Sequence, residues 1–187
     1  MSTAPDWQPA LEGELVLLRP TRADDWDEMF PAASDPLIWA GHPAKDRYTE
    51  PQFRKYFDGA LESGGALTII DKASGRIVGC SRYHDYRPDE SRVEIGYTFL
   101  VRACWGGAVN GEVKRLMLAH AFRFVETVQF AVAADNLRSR RACEKIGATL
   151  SDRTEMRPTG GGDIPYCIYE MSRGCIYEMS RGASRTR

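Results

Sequence analysis

Apolar residues follow two different periods along this chain, and segments of the two kinds alternate. Short apolar runs or two-residue alternation, typical of strands, occupy residues 14–19, 66–71, 76–86, 91–101, 128–134, 148–157 and 164–172. Apolar residues three and four positions apart, typical of one helix face, occupy residues 22–33 and segments at about 50–61, 108–125 and 136–145. Interleaved strands and helices predict one mixed α/β domain.

The segment 91–101 is expected to be a central strand. Val93, Ile95 and the odd-numbered residues after them alternate with a second set that is also largely apolar. A strand with two apolar faces is covered on both sides. Two loops, residues 34–48 and 158–163, are rich in proline or glycine and lie near predicted element ends, so we expect them to shape a ligand pocket.

A glycine-rich turn, Cys104–Glu112, joins this central strand to the next helix. Backbone N–H groups that converge at a helix start attract phosphate. A Walker loop would need lysine where Glu112 stands, and a dinucleotide fingerprint would need glycine at Ala108. Asn110–Gly111 could instead form a hairpin turn, although the helical period that follows leaves no partner strand. The residues alone support an anion site and an ordinary strand-to-helix turn equally.

Composition narrows the class of protein. A net charge of −1 and a pI near 6.3 give no reason to expect nucleic acid as a partner. The 187 residues contain neither a run of about 18 apolar residues nor the pattern of a signal peptide, so we expect a cytoplasmic protein without a membrane partner. Five scattered cysteines and three unclustered histidines predict reduced thiols and no metal.

Resemblance to a known family is carried by four segments: EIGYTF, WGGAVNGE, a helix ending LAHAF, and NLRSRRACEKIGA. Together they resemble the coenzyme A (CoA) binding core of the GNAT superfamily of N-acetyltransferases, in its RimJ/RimL-like branch. This core covers residues 92–150, and the preceding elements fit the same fold. The resemblance implies a mostly antiparallel, twisted sheet of about six or seven strands, splayed at the cofactor site and flanked by about four helices.

The resemblance also implies which residues bind acetyl-CoA. Backbone amides of the glycine-rich turn would bind the pyrophosphate, at Trp105, Gly106, Gly107, Ala108, Val109 and Asn110. The family pattern Q/R-x-x-G-x-G/A fits at Gly106 and Ala108, but Ala103 stands at the Q/R position and Arg102 comes one residue early.

Asn136 and Ser139 would lie beside the pantetheine arm and the thioester sulfur. A helix cap and a solvated helix face are the simpler interpretation of these two residues. The full spacing N-x-x-S-x-x-x-x-x-K-x-G favours the cofactor.

Acetyl transfer to an amine needs a polarised carbonyl, a proton for the leaving thiolate and a neutral amine. The backbone N–H of Leu100 or Val101 is expected to bind the developing oxyanion, an interaction worth about 3 kcal/mol. Many relatives protonate the thiolate with a tyrosine seven residues after the asparagine. Cys143 stands there, so Ser139 is the predicted donor and Cys143 a packing residue.

Glu94 is the candidate general base, with a purely structural carboxylate as the alternative. Tyr83 and His84 lie on a predicted strand that could border the acceptor site, although a lone histidine is more often structural. The predicted function is therefore transfer of an acetyl group from acetyl-CoA to a primary amine by direct attack in a ternary complex. The acceptor would be a protein N-terminus, a lysine or a small molecule. Because the usual tyrosine is missing, the alternative is a CoA-binding regulatory protein without catalysis.

An exact repeat closes the chain: CIYEMSRG occurs at Cys167–Gly174 and again at Cys175–Gly182. A strand needs one copy, so residues 1–174 are expected to form the domain and residues 175–187 a flexible tail that arose by duplication or cloning. Alternatively, the free copy pairs with a sheet edge of a second subunit and makes a homodimer.

Overall fold

A computed structural model describes residues 4–174, which form eight strands and five helices. The strands are β1 (Leu11–Glu12), β2 (Val16–Pro20), β3 (Ala66–Asp71), β4 (Ile77–Arg87), β5 (Arg92–Leu100), β6 (Thr127–Ala133), β7 (Thr149–Thr159) and β8 (Gly162–Ser172). The helices are α1 (Trp26–Ala33), α2 (Pro36–Trp39), α3 (Glu50–Glu62), α4 (Ala108–Ala121) and α5 (Leu137–Lys145). Single 3-10 turns precede α1 and follow β5.

All eight strands join one sheet in the order β1-β2-β3-β4-β5-β6-β8-β7, and only the β5–β6 pair is parallel. The predicted mixed α/β, mostly antiparallel fold is confirmed. The predicted numbers of strands and helices were each too low, because the two-residue strand β1 and the one-turn helix α2 give no periodic signal. That helix, α2, lies inside the predicted loop 34–48, where Asp35 accepts the Leu37 N–H and Pro36 opens the first turn.

Two apolar cores cover the two faces of the sheet. One packs α4 and α5 against the sheet and includes Ile95, Met117 and Tyr169, which are 0–2% exposed. The other packs α1, α2 and α3 against the opposite face and includes Phe53 and Phe99. We call these the α4–α5 face and the α1–α3 face.

Strand β5 changes face partway along, contrary to the uninterrupted alternation expected from the sequence. Ile95 belongs to the core of the α4–α5 face, but Phe99 belongs to the other core. Its register with β4 shifts between the Cys80 and Arg82 pairings, and Tyr97 has a left-handed φ of 50°. One extra residue therefore bulges at Tyr97 and turns the end of β5 over.

The bulge lies where β5 and β6 separate. The two strands pair only from Arg92–Thr127 to Glu94–Gln129, after which β6 continues with β8. We call the space beyond this pairing the β5–β6 gap. The first copy of the octapeptide supplies the end of β8, whereas the second copy and its predicted pairing lie outside the described residues.

Candidate functional site

A cleft of about 210 Å³ occupies the β5–β6 gap. Its walls come from β5 and β6, the start of α4, one face of α5, and the segment that contains α2. Six of the eleven predicted site residues line it: Leu100, Trp105, Gly106, Asn110, Asn136 and Ser139. The other five, Glu94, Val101, Gly107, Ala108 and Val109, do not. The cleft also receives Trp39, His42 and Pro43 from the predicted loop 34–48, but no residue of 158–163 lines it. Strands β7 and β8 shorten that second loop to a tight turn at Gly160–Gly161.

The two backbone donors proposed for the oxyanion differ in their surroundings. The Val101 N–H already donates to the Val78 carbonyl at 2.8 Å. Hydrogen-bonded pairs alternate along antiparallel strands, so the neighbouring pair Gly79–Leu100 is a non-hydrogen-bonded one, and the Leu100 N–H points away from β4. Because β6 no longer pairs with β5 beyond Glu94, this N–H faces the gap. Leu100 is thus the better placed of the two donors.

The turn at residues 105–110 has the geometry of an anion site. Gly106 has a φ of 67°, and α4 begins at Ala108 without a side chain capping its start. The first three N–H groups of an α-helix have no partner inside the helix, and here they belong to Ala108, Val109 and Asn110. A Cβ at Gly106 or Gly107 would meet no atom closer than 4.0 Å, so the space beside these two glycines, just before the helix start, is open.

Neighbouring side chains hold this turn in place. Trp105 donates from Nε1 to the Leu100 carbonyl at 2.8 Å, and the Arg138 guanidinium lies 3.9 Å from the Trp105 ring centroid. Arg102, the residue one position early in the family pattern, forms an ion pair with Asp35. Arg102 therefore ties the turn to α2.

Glu112, which argued against a Walker loop, has a structural role. Its carboxylate accepts the backbone N–H groups of Glu14, Leu15 and Val16 at 2.7–2.9 Å. These hydrogen bonds outweigh the effect of burial and lower its pKa. The β1–β2 turn is thereby anchored to the first turns of α4.

Helix α5 presents its predicted residues to the cleft. Asn136 is 5% exposed and caps the helix, with its Oδ1 accepting the Ser139 N–H at 3.3 Å. The half-buried Ser139 lines the cleft one turn away from the buried Cys143. Burial raises the pKa of the Cys143 thiol to about 11, which keeps it protonated near neutral pH.

Lys114 is a cleft residue that was not predicted from the sequence. It is 8% exposed, donates from Nζ to Thr98 Oγ1 at 3.0 Å, and has no acidic partner within residues 4–174. Burial lowers its pKa to about 8. The signal that could have found it is a lysine on the apolar face of α4 that also carries Met117 and Ala121.

Glu94 is buried in a network of partners. Arg157 donates to both carboxylate oxygens at 2.9 and 2.8 Å, and Gln129 donates to one of them at 3.1 Å. His84 Nε2 lies 3.3 Å from Glu94 Oε1. Burial would raise the pKa of Glu94, but His84 and Arg157 outweigh it and lower the pKa to about 2. Its base role stays a prediction, and these contacts favour a positioning role.

Tyr83 and His84 point to opposite faces of the sheet. Tyr83 is 1% exposed and donates to the Met117 carbonyl at 2.7 Å, deep in the core of the α4–α5 face. His84 lies on the α1–α3 face, with its ring 5.0 Å from that of Tyr97. Of the two, only His84 is placed to border an acceptor.

Two further arginines lie on the α1–α3 face, among the rings of Trp39, Tyr56 and Tyr97, which we call the aromatic cage. The Arg47 guanidinium lies 5.1 Å from the centroids of both Trp39 and Tyr56. The Arg82 guanidinium lies 4.3 Å from the centroid of Tyr97. Neither arginine was predicted from the sequence, because nothing in the linear pattern joins residues 47 and 82.

His42 completes this side of the cleft. Its Nδ1 accepts the Ala44 N–H at 3.0 Å, which leaves the proton of the neutral ring on Nε2. Burial and the charges of Arg47 and Arg138 lower its pKa to about 3. His42 is therefore neutral near pH 7 and can donate a hydrogen bond from Nε2.

Within residues 4–174 no group of three or more histidine, cysteine or acidic side chains could hold a metal ion. No helix in the same span is long and apolar enough to cross a membrane.

Comparison with known proteins places these features in context. Residues 16–149 match the family model described as the acetyltransferase (GNAT) domain. A comparison with curated protein sequences gave no match. A GCN5-related N-acetyltransferase from Brucella melitensis shares the fold at 22% identity and a TM-score of 0.79, with 88% of this chain and 79% of that chain covered.

Two other solved structures with this fold contain CoA-type ligands. One is Mycobacterium smegmatis RimJ in complex with CoA-disulfide, at 17% identity and a TM-score of 0.72, covering 93% of this chain and 92% of that chain. The other is the microcin C7 self immunity acetyltransferase MccE in complex with acetyl-CoA and AMP, at 12% identity and a TM-score of 0.73, covering 89% and 98%. At these identities the likeness shows the fold.

Proposed function

Because this chain belongs to the GNAT acetyltransferase family, which uses acetyl-CoA, we propose that it transfers the acetyl group of acetyl-CoA to a primary amine by direct attack in a ternary complex. The observation that carries this proposal is the cleft in the β5–β6 gap. It brings together a free strand N–H, an uncapped helix start and the polar face of α5. The narrower RimJ/RimL-like assignment rests on the quoted segments and on the fold shared with RimJ.

Residues of the turn 105–110 and of α5 would hold the cofactor. The amides of Ala108, Val109 and Asn110 supply partial positive charge for a pyrophosphate, and the open space above Gly106 and Gly107 admits it. Further along the gap, Asn136 offers a polar group to the pantetheine arm. Lys114 and Thr98 offer donors to its carbonyl oxygens.

The chain's own groups would meet two of the three demands of the reaction. The Leu100 N–H donates to the oxyanion that develops on the thioester carbonyl. Ser139 would relay a proton to the leaving thiolate: its hydroxyl gives up its own proton and regains one from the protonated amine nitrogen of the tetrahedral intermediate. Cys143 takes no acyl group, since its thiol stays protonated and direct attack needs no acyl-enzyme.

The third demand, a neutral amine, favours acceptors that lose their proton easily. Glu94 could take the proton only by giving up its bidentate contact with Arg157. An α-amine titrates near pH 8 and a lysine side chain near about 10.4, so an α-amine relies least on a base. An acceptor with a low amine pKa therefore suits this site.

Thiol release from acetyl-CoA, measured with a panel of amines, tests the proposal. We expect release that depends on the amine and an acetylated amine among the products. CoA binding without turnover of any amine would instead support a regulatory CoA-binding protein. No CoA binding at all would remove the site assignment.

A further inference from the structure

Arg47 and Arg82 carry positive charge into a poorly solvated place. Arg82 is 7% exposed, its Nη2 donates to the Tyr56 carbonyl at 3.2 Å, and its buried Nε has no partner in residues 4–174. Arg47 is half-buried against Trp39 and Tyr56, and burial lowers its pKa. Stacking on aromatic rings offsets part of the desolvation free energy of a buried guanidinium. A bound anion would offset more of it, because opposite charges attract strongly in a poorly solvated site.

No such anion is supplied by the described part of the chain. Neither Arg47 nor Arg82 has an acidic side chain within 4 Å in residues 4–174, whereas the half-buried Arg157 has two, Glu94 and Glu155. Glu94, which lies on the same face, is fully occupied by Arg157, Gln129 and His84. Two cations without a carboxylate thus lie side by side on the α1–α3 face.

The aromatic cage places these cations beside the part of the cleft that contains Leu100, the proposed oxyanion donor. Trp39 and Tyr97 contact the arginines and also line the cleft. The Tyr56 hydroxyl donates to the Tyr97 carbonyl at 2.6 Å and fixes the bulge that precedes Leu100. Trp39 and Tyr97 therefore connect the two arginines with the cleft that Leu100 also lines.

We infer that the acceptor is an amine that also carries an oxyanion, a carboxylate or a phosphate. Arg47 binds this group, and Arg82 reinforces its charge from beneath Tyr97. The inference rests on the proposed acetyl transfer and adds the chemical class of the acceptor. A free cation such as a diamine is rejected by the same two arginines, since like charges repel in a desolvated site.

Matched amines of similar length test this inference: 4-aminobutyrate, 3-aminopropyl phosphate, butylamine and 1,4-diaminobutane. We expect kcat/KM for at least one acidic amine to exceed that for butylamine about 10-fold or more, with the diamine last. The two acidic amines separate carboxylate from phosphate recognition. Equal or faster turnover of butylamine or the diamine overturns the inference while leaving acetyl transfer intact.

Variants of the two arginines locate the effect. Arg47→Gln is expected to lower kcat/KM for the preferred acidic amine about 10-fold or more, to change that for butylamine less than about twofold, and to leave CoA affinity unchanged. Arg82→Gln should act in the same direction. The matched control is Arg54→Gln, because Arg54 is an exposed arginine stacked on Trp26. An equal loss for acidic and neutral amines would contradict the assignment.

A binding measurement keeps the inference testable without turnover. Calorimetry of the CoA-bound protein should detect 4-acetamidobutyrate or its phosphate analogue but not N-butylacetamide, and Arg47→Gln should remove the signal. If the uncharged amide binds as well as both acids, the inference fails. If no amine is acetylated but an acid binds through Arg47, acetyl transfer fails and the anion site stands.

Discussion

The two sides of the β5–β6 gap are built from different kinds of group. On the α4–α5 side, the proposed cofactor contacts are mainly backbone amides at one strand end and one helix start, within residues 100–110. On the α1–α3 side, the proposed acceptor contacts are side chains from separate parts of the chain, among them Arg47, Arg82 and Tyr97. Backbone recognition suits a ligand shared by a whole family, whereas side-chain recognition can change the acceptor without disturbing the fold.

Blocking the cofactor side should have the largest effect. Gly107→Glu places a bulky negative charge where the helix start is open, and we expect CoA affinity to fall at least about 100-fold. Calorimetric titration with CoA measures this loss. Gly160→Glu, in the β7–β8 turn, is the control and should bind CoA normally. An unchanged affinity in Gly107→Glu would refute the pyrophosphate site.

Removing the charge of Glu94 tests whether its ion pair with Arg157 stabilises the acceptor side of the gap. Glu94→Gln leaves Arg157 without its buried partner and should lower the free energy of unfolding by roughly 3 kcal/mol at pH 7. The pKa of Glu94 is lowered to about 2, so the wild-type advantage is present above about pH 4.5 and is lost as the pH falls through 2.

Denaturant unfolding of wild type and Glu94→Gln between pH 7 and pH 2 checks this dependence. Glu50→Gln, at the exposed start of α3, is the control. A constant difference between wild type and Glu94→Gln across that range would show that Glu94 is not charged and paired.

Lys114 is expected to lower the stability of the folded chain while contributing to CoA binding. Its pKa in the folded chain, about 8, lies below the usual 10.5, so its charge destabilises the fold below pH 8 and this penalty fades as the pH rises toward 10.5. Lys114→Met should therefore gain about 3 kcal/mol in free energy of unfolding at pH 7 and less at pH 10.

The same Lys114→Met variant should bind CoA more weakly, because the cleft loses a donor and a positive charge. Unfolding curves and calorimetry on one preparation measure both effects. A variant that is more stable and binds CoA as well as wild type would assign Lys114 no part in the site.

The smallest expected effects separate chemistry from binding on α5. Ser139→Ala should lower kcat about 10- to 100-fold with CoA affinity nearly unchanged, since it removes the proposed proton donor. Cys143→Ala should keep kcat within about threefold, because a protonated, buried thiol has no chemical role here. Single-turnover thiol release measures both variants, and a trapped acetyl group on Cys143 would contradict direct transfer.

Features formed by residues close together in the sequence could be predicted, whereas features formed by residues far apart in the sequence could not. The order of strands and helices, the turn 105–110 and the Asn136 cap all follow from local spacing. The bulge at Tyr97 was missed because alternation carries no mark of an extra residue between two strands. The stacked arginines were missed because residues 47, 56, 82 and 97 meet only after β4 and β5 pair beneath α3.

Backbone amide chemical shifts, recorded while CoA is added, test most directly whether the β5–β6 gap is the cofactor site. We predict large shifts for Leu100, Ala108, Val109 and Asn110 and little change in the β7–β8 turn at residues 160–161. If CoA binds while these four amides stay unshifted, the cofactor lies elsewhere and the proposed site is wrong.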